Sequence, residues 1–212
     1  HSNIAAAAVN ARRPRAALYH AKEAYTADPK NIPALVNMSE AFMQIGQHEA
    51  AAAVARHGLN LAPKYPELLL NLGVAHGVLG RPNAAAAYFR ECIAVNSRGA
   101  ALAKKNLGQI LLSQGDFAEG WTHYAARFEA DKIQPRYTGH LEWDGTPQPQ
   151  GQLIVAAEQG LGDEILYLSM LQDLERAYQG RIVWEADARL IPLIERTALR
   201  TRFIPRSIAH IE

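Results

Sequence analysis

Asn71-Leu72-Gly73 repeats Asn37-Met38-Ser39 after 34 positions, and Asn106-Leu107-Gly108 repeats it again after 35. At the 34-residue offset Gly46 meets Gly80, Ala51 meets Ala85, Ala55 meets Phe89, Gly58 meets Cys92, and Pro63 falls opposite Ser97. Stepping back by 34 places Asn3 under Asn37, Ala17 under Ala51, Ala21 under Ala55 and Pro29 under Pro63. Going forward, Gly115 follows Gly80 by 35, with one residue added near Ser97-Arg98-Gly99. A period of this length is that of a two-helix unit that buries its apolar side against the next copy. The spacing predicts a truncated unit at 1–31, full units at 32–65 and 66–99, and a fourth at 101–130. The paired helices turn around Gly46, Gly80 or Gly115.

This pattern resembles the tetratricopeptide repeat, which needs a small residue where paired helices cross and a proline at the repeat's end. Ala or Gly lets two backbones approach, while Phe42, Leu72 and Phe89 fill the seams. Proline stops one helix and fits the first turn of the next. Cys92 occupies a small-residue position and reads as a buried hydrophobe rather than a nucleophile. The expected fold is an all-α solenoid with a concave inner surface over residues 1–130. Its first unit opens partway into a helix without a polar cap, so further repeats are expected before residue 1.

Composition removes several function classes. Lys+Arg 22 against Asp+Glu 21 gives a formal charge of +1, so no nucleic-acid partner is expected. Arg12, Arg13 and Arg15 form the one tight basic group and read as a solvated helix face. A single cysteine excludes an intrachain disulfide or a thiolate metal site. The eight histidines form no ligand motif, because His48-Glu49 lacks its second histidine. No apolar run is long enough to span a membrane. The Ala-rich start is too weakly apolar for a signal peptide.

Asn3, Asn37, Asn71 and Asn106 form a ladder at one repeat position. Asparagine is a poor helix-interior residue, so four at one position need a cause. Each amide can satisfy a backbone group between repeats, or it can hold a bound peptide backbone, since it is both donor and acceptor. A similar ladder lines the inner groove of glycosyltransferases of the O-linked N-acetylglucosamine class. By that resemblance a protein or peptide is the expected partner in the groove. Glu40, Gln44, Lys105 and Gln109 are expected to face the groove nearby.

After residue 115 the composition turns aromatic. Trp121, Tyr124 and Phe128 fall on one helical face and predict a core or interface stripe. Residues 131–150, with Pro135, Pro147, Pro149, Gly139, Gly145 and Trp143, read as a connector pinned to a neighbouring surface by Trp143. Leu153-Ile154-Val155-Ala156-Ala157 then reads as a buried strand. The loop Glu158-Gln159-Gly160-Leu161-Gly162 leads to Asp163, which can cap a helix running to about Gln179. A strand at Arg181–Glu185, a helix over 187–197 and a strand opening at Thr201 complete a β-α-β-α-β order. That order opens a partial doubly wound, Rossmann-like α/β domain over 151–212. Ile165 stands where the dinucleotide fingerprint needs glycine, there is no Walker lysine, and Asp163 and Glu164 oppose a phosphate. Asp163 is left as helix cap or as general base at the carboxyl end of a strand.

Gly115-Asp116-Phe117 with Gly120-Trp121 and Tyr124, then Trp143-Asp144-Gly145, Glu158-Gln159-Gly160-Leu161-Gly162-Asp163 and Arg189-Leu190 before Pro192-Leu193 together resemble a bacterial family. Its members fuse tetratricopeptide repeats to a heptosyltransferase-like glycosyltransferase of the GT-B type. The resemblance implies an acceptor-side loop of Glu158, Gln159, Gly160 and Gly162, with Asp163 as the base that deprotonates an acceptor hydroxyl. It also implies a nucleotide-sugar donor held mainly by a second α/β domain after Glu212. The chain alone is then expected to bind no cofactor and to transfer no sugar. The repeats would present a protein or glycan acceptor, from a cytoplasmic location. The alternative is a non-catalytic, peptide-binding interaction scaffold.

Overall fold

The computed structural model describes residues 1–95, 99–134, 137, 139–146, 151–158, 160–196 and 200–206. The chain divides into two compact units, His1–Gln134 and Pro135–Glu212.

In the first unit four helix pairs follow in order: α1 (Ser2–Asn10) with α2 (Pro14–Ala27), α3 (Ile32–Gln44) with α4 (His48–Leu61), α5 (Pro66–Val78) with α6 (Pro82–Ala94), and α7 (Ala100–Ser113) with α8 (Phe117–Tyr124). A short α9 (Arg127–Ala130) closes the unit. Of the stretch Ser97-Arg98-Gly99 expected to carry the added residue, Ser97 and Arg98 lie outside the described residues and Gly99 directly precedes α7. Proline enters the first turn of α2, α3, α5 and α6, where its missing N–H costs nothing. Asn31 and Asp116 cap α3 and α8 through their side chains. The turns within the last three pairs pass through Gly46, Gly80 and Gly115 at φ +77°, +69° and +84°. In the first pair Arg12 holds the same place at φ +50°.

The core follows the small-residue pattern. Ala17, Ala21, Ala51, Ala55 and Ala85 on the second helices are all fully buried. Leu69, Phe89, Cys92, Leu107 and Leu111 fill the largest cluster. Cys92 is buried, and its Sγ donates to the Pro66 carbonyl at 3.5 Å. A Cβ on Gly73 would stand 2.4 Å from the Phe89 ring, and one on Gly108 would stand 2.5 Å from the Tyr124 backbone nitrogen. Ser39, at the corresponding position, is buried and donates its hydroxyl to the Ala51 carbonyl at 3.0 Å.

The aromatic residues do not lie along one continuous helix. The helix stops at Tyr124, so Phe128 belongs to α9, and Trp121 is half exposed. Trp121 meets Tyr124 edge-on with ring centres 5.8 Å apart, and the Arg127 guanidinium lies 5.1 Å from the Tyr124 ring centre and 4.1 Å from that of Phe128.

Among its described residues the second unit holds three parallel strands in the order β1 (Gln152–Val155), β2 (Arg181–Ala186), β3 (Arg202–Pro205). Val155 pairs with Trp184 and Trp184 with Phe203. The single helix expected from Asp163 is two: α10 (Leu161–Leu168) and α11 (Leu171–Ala177). Ser169 breaks it by turning its hydroxyl onto the Leu166 carbonyl at 2.6 Å. Between β2 and β3 the helix shortens to α12 (Ile191–Ile194). Leu171, Trp184 and Ala186 form the buried centre of this small α/β unit. Trp143 meets Tyr178 edge-on with ring centres 5.5 Å apart.

Candidate functional site

The repeat unit has two unequal layers. The first helices pack on one another, α1 on α3, α3 on α5 and α5 on α7, while α2, α4 and α6 have no comparable mutual packing. Closer spacing on one side of a stack puts that side on the inner curve. The ladder asparagines therefore sit on the helices that form the concave wall.

There the amides are partly committed. Asn37 Nδ2 donates to the Ser2 carbonyl at 3.0 Å, and Asn71 Nδ2 donates to the Val36 carbonyl at 3.5 Å. Ser2 and Val36 are the residues immediately before Asn3 and Asn37, so the bond repeats with the register. Gln44 does the same one heptad later, donating Nε2 to the Val9 carbonyl at 3.1 Å. Asn37 and Gln44 thus tie α3 to α1 at two levels. Asn37 is buried, Asn71 and Asn106 are half-buried, and Asn3 is exposed.

The other wall residues differ in what holds them. Lys105 is clamped by both Asp131 oxygens, at 2.6 and 2.7 Å. Gln109 is exposed. Glu40 is half-buried, and desolvation holds its carboxyl above the usual carboxylate range. Behind the wall His76 is buried and stacked on Tyr88, with neither ring nitrogen hydrogen-bonded to the described residues. Burial first, then Arg81 and Arg56, holds its pKa below the usual value, with Glu49 opposing.

In the second unit, Gly160 rather than Asp163 occupies the helix N-cap position. Asp163 lies in the first turn, half-buried, after the carboxyl end of β1. The turn itself does not demand glycine. Gly160 has φ −79°, and a Cβ on Gly162 would meet nothing within 4 Å. Glu158 is exposed, and Gln159 lies outside the described residues.

Sequence reasoning missed the buried carboxylates at this sheet edge. Glu185, 3% exposed, accepts the Tyr137 hydroxyl at 2.6 Å and the Ala157 N–H at 3.2 Å. Glu164, 5% exposed, accepts the Asp187 N–H at 2.6 Å and faces the Arg206 guanidinium at 3.1 Å. Asp187 in turn grips Arg189, which pulls the Asp187 carboxyl well below its usual range. A charge closing an otherwise apolar strand, Ile182-Val183-Trp184-Glu185, was the available signal. Among the described residues no helix is long and apolar enough to cross a membrane. Nor, among them, is any group of three or more His, Cys, Asp or Glu placed to hold a metal.

Comparisons with known proteins agree on the first unit. Tetratricopeptide-repeat family profiles match residues 8–72 and 66–98. Protein FlbA of Caulobacter vibrioides is 38% identical over 92 residues, which cover 42% of this chain but 15% of FlbA. PilW, a type IV pilus biogenesis factor, superposes with a TM-score of 0.56 at 24% identity, over 61% of this chain and 60% of its own. YrrB, described as a TPR protein with an unusual peptide-binding site, superposes with a TM-score of 0.50 at 20% identity, over 61% of this chain and 66% of its own. With matching repeats, helix pairs and turns, residues 8–98 are a tetratricopeptide-repeat region, part of an all-α solenoid that is followed by a small α/β region.

Proposed function

We propose that the repeat unit is a protein-binding scaffold whose concave wall holds an extended segment of a partner. The observation that carries this reading is the division of labour in the ladder. Asn37 and Asn71 spend Nδ2 on the preceding repeat, while Oδ1 of each accepts no hydrogen bond from the described residues. A row of side-chain acceptors at repeat spacing suits the N–H groups of an extended backbone and is indifferent to its side chains. YrrB, with the same fold, is named for a peptide-binding site. The clean test uses Asn3→Ala with Asn106→Ala, because neither amide is bonded to the described scaffold. Peptides selected on the wild-type chain should bind this double variant several-fold more weakly at unchanged thermal stability. Unchanged affinity would remove the ladder from recognition.

A second reading concerns the α/β unit, and Asp163 favours it. Its carboxylate, half-buried beside the carboxyl end of β1, has no hydrogen-bond partner among the described residues. In open α/β sheets that edge is where ligands bind. On this reading the unit is the acceptor-side half of a nucleotide-sugar-dependent glycosyltransferase. Asp163 takes the proton of an acceptor hydroxyl. The acceptor oxygen bonds to the anomeric carbon, and the bond from that carbon to the donor's phosphate oxygen breaks. Glu158, Gln159, Gly160 and Gly162 would border the acceptor. In the full-length protein, Asp163→Asn should abolish sugar transfer while leaving the fold intact. Retained transfer would end the base assignment.

A further inference from the structure

The groove reading leaves open which segment the wall prefers, and one side chain on it is unexplained. Glu40 lies on α3 three residues after Asn37, so the two share a helix face. A backbone held on Asn37 Oδ1 therefore carries a side chain past Glu40. The corresponding positions of the other repeats hold Ala6, Val74 and Gln109, so the scaffold does not require a carboxylate there. Glu40 is half-buried, yet among the described residues it takes part in no ion pair; those of this unit join Arg81 to Glu49, Arg90 and His123 to Glu119, and Lys105 to Asp131. The cation on the same wall, Lys105, is already neutralised. A carboxylate that is partly stripped of water and lacks a counter-charge destabilises the fold that carries it. A cation supplied from outside removes that penalty.

We propose that Glu40 is the specificity-determining residue of the groove, receiving a lysine or arginine side chain of the bound protein segment. This rests on the groove reading above. The carboxylate offers two acceptor oxygens to a guanidinium or ammonium and repels acidic segments and phosphate backbones.

The test begins with a displayed library of random 12-residue peptides selected on the whole chain. Selected sequences are then made as fluorescent peptides and measured by anisotropy, each beside a version with its basic residue changed to glutamine. The expected result is a shared Lys or Arg whose loss weakens binding to wild type by about tenfold or more, the scale of a charge-assisted hydrogen bond. Glu40→Gln should bind both versions equally, and Glu40→Lys should select acidic residues instead. If Glu40→Gln discriminates as wild type does, or if selected peptides share no basic residue, the assignment of Glu40 is overturned while groove binding stands. If no peptide is retained, the groove reading falls and this proposal with it.

Discussion

Replacing Gly108 by alanine tests whether the repeat register is set by backbone contact. A Cβ there would lie 2.5 Å from the Tyr124 nitrogen, 2.8 Å from its Cα and 2.8 Å from the Gly120 carbonyl oxygen. All three are backbone atoms of α8, so no rotamer change can relieve the clash. Bringing the shortest contact to van der Waals distance moves α8 away by roughly 1 Å, since carbon contacts settle at about 3.5–4.0 Å. Overpacking of this kind costs about 1–3 kcal/mol. Against it stands the gain from alanine in a helix interior, about 0.8–1.0 kcal/mol. The net expectation for Gly108→Ala is a loss of about 1–2 kcal/mol, because the clash is with rigid backbone. Gly77→Ala is the control. Its Cβ would meet only Ile110 at 3.6 Å and Ala85 at 3.9 Å, ordinary contacts. It should therefore gain up to about 1 kcal/mol from helix propensity alone. Urea unfolding followed by circular dichroism measures both changes. Hydrogen exchange should show faster opening of α8 in Gly108→Ala with α3 unaffected, because repeats couple mainly to neighbours. Stabilisation by Gly108→Ala, or destabilisation by Gly77→Ala, would refute the contact argument.

Three further outcomes follow from single residues. Arg12 sits at φ +50° where the other repeats carry glycine, so Arg12→Gly should raise stability by about 1 kcal/mol in chemical denaturation, less whatever entropy glycine returns to the unfolded chain. His76 has a folded-state pKa below its ordinary 6.5. The unfolded chain therefore takes the proton first, and the stability is present above pH 6.5 and lost as pH falls through the folded value. His76→Phe, which keeps an aromatic ring against Tyr88, should flatten that limb of a melting-temperature profile against pH; an unchanged slope would contradict it. Glu40 has a folded pKa raised by burial above 4.5, so its penalty is absent below that pH and grows as pH rises through the folded value. Glu40→Gln should accordingly melt higher than wild type near neutral pH, with the advantage vanishing in acid.

The helical half of the fold was legible because the same local environment recurs every 34 or 35 residues. Ala51 and Ala85 are both fully buried, and Gly46, Gly80 and Gly115 share one left-handed turn. Repetition turns one weak signal into several concordant ones. The α/β part offers no second copy. There the expected helix from Asp163 breaks at Ser169 through a bond that any serine could make to water instead. The capping position goes to Gly160, and the acid that becomes buried is Glu164, next to Asp163 in sequence but turned toward Arg206 and the Asp187 N–H. Tyr137 and Glu185 meet across 48 residues. Nothing local in the sequence marks such a pair. The ladder lies between these cases. Its positions are plain in the sequence, whereas the bonds of Asn37 and Asn71 to Ser2 and Val36 require the curvature that brings successive first helices together.

One residue type can serve both packing and recognition when its two polar atoms differ in role. A side chain used only for binding adds a polar group to the wall and weakens the helix that carries it. One used only for packing would be replaceable by any residue that fits. In the proposed groove asparagine would separate the two tasks by atom: Nδ2 of Asn37 and Asn71 bonds to the preceding repeat, and Oδ1 would be left for a ligand. On that proposal the two functions are coupled, because the bond that positions Asn37 and Asn71 also positions their Oδ1 atoms, which accept nothing from the described residues. Aspartate at either position would keep an acceptor but lose the inter-repeat donor and face the Ser2 or Val36 carbonyl with a like-signed oxygen. Asn71→Asp should therefore loosen α5 against α3 and weaken peptide binding together, whereas Asn106→Ala should weaken binding alone. Equal effects of the two on stability would mean that the ladder's bonds do not hold the repeats in register.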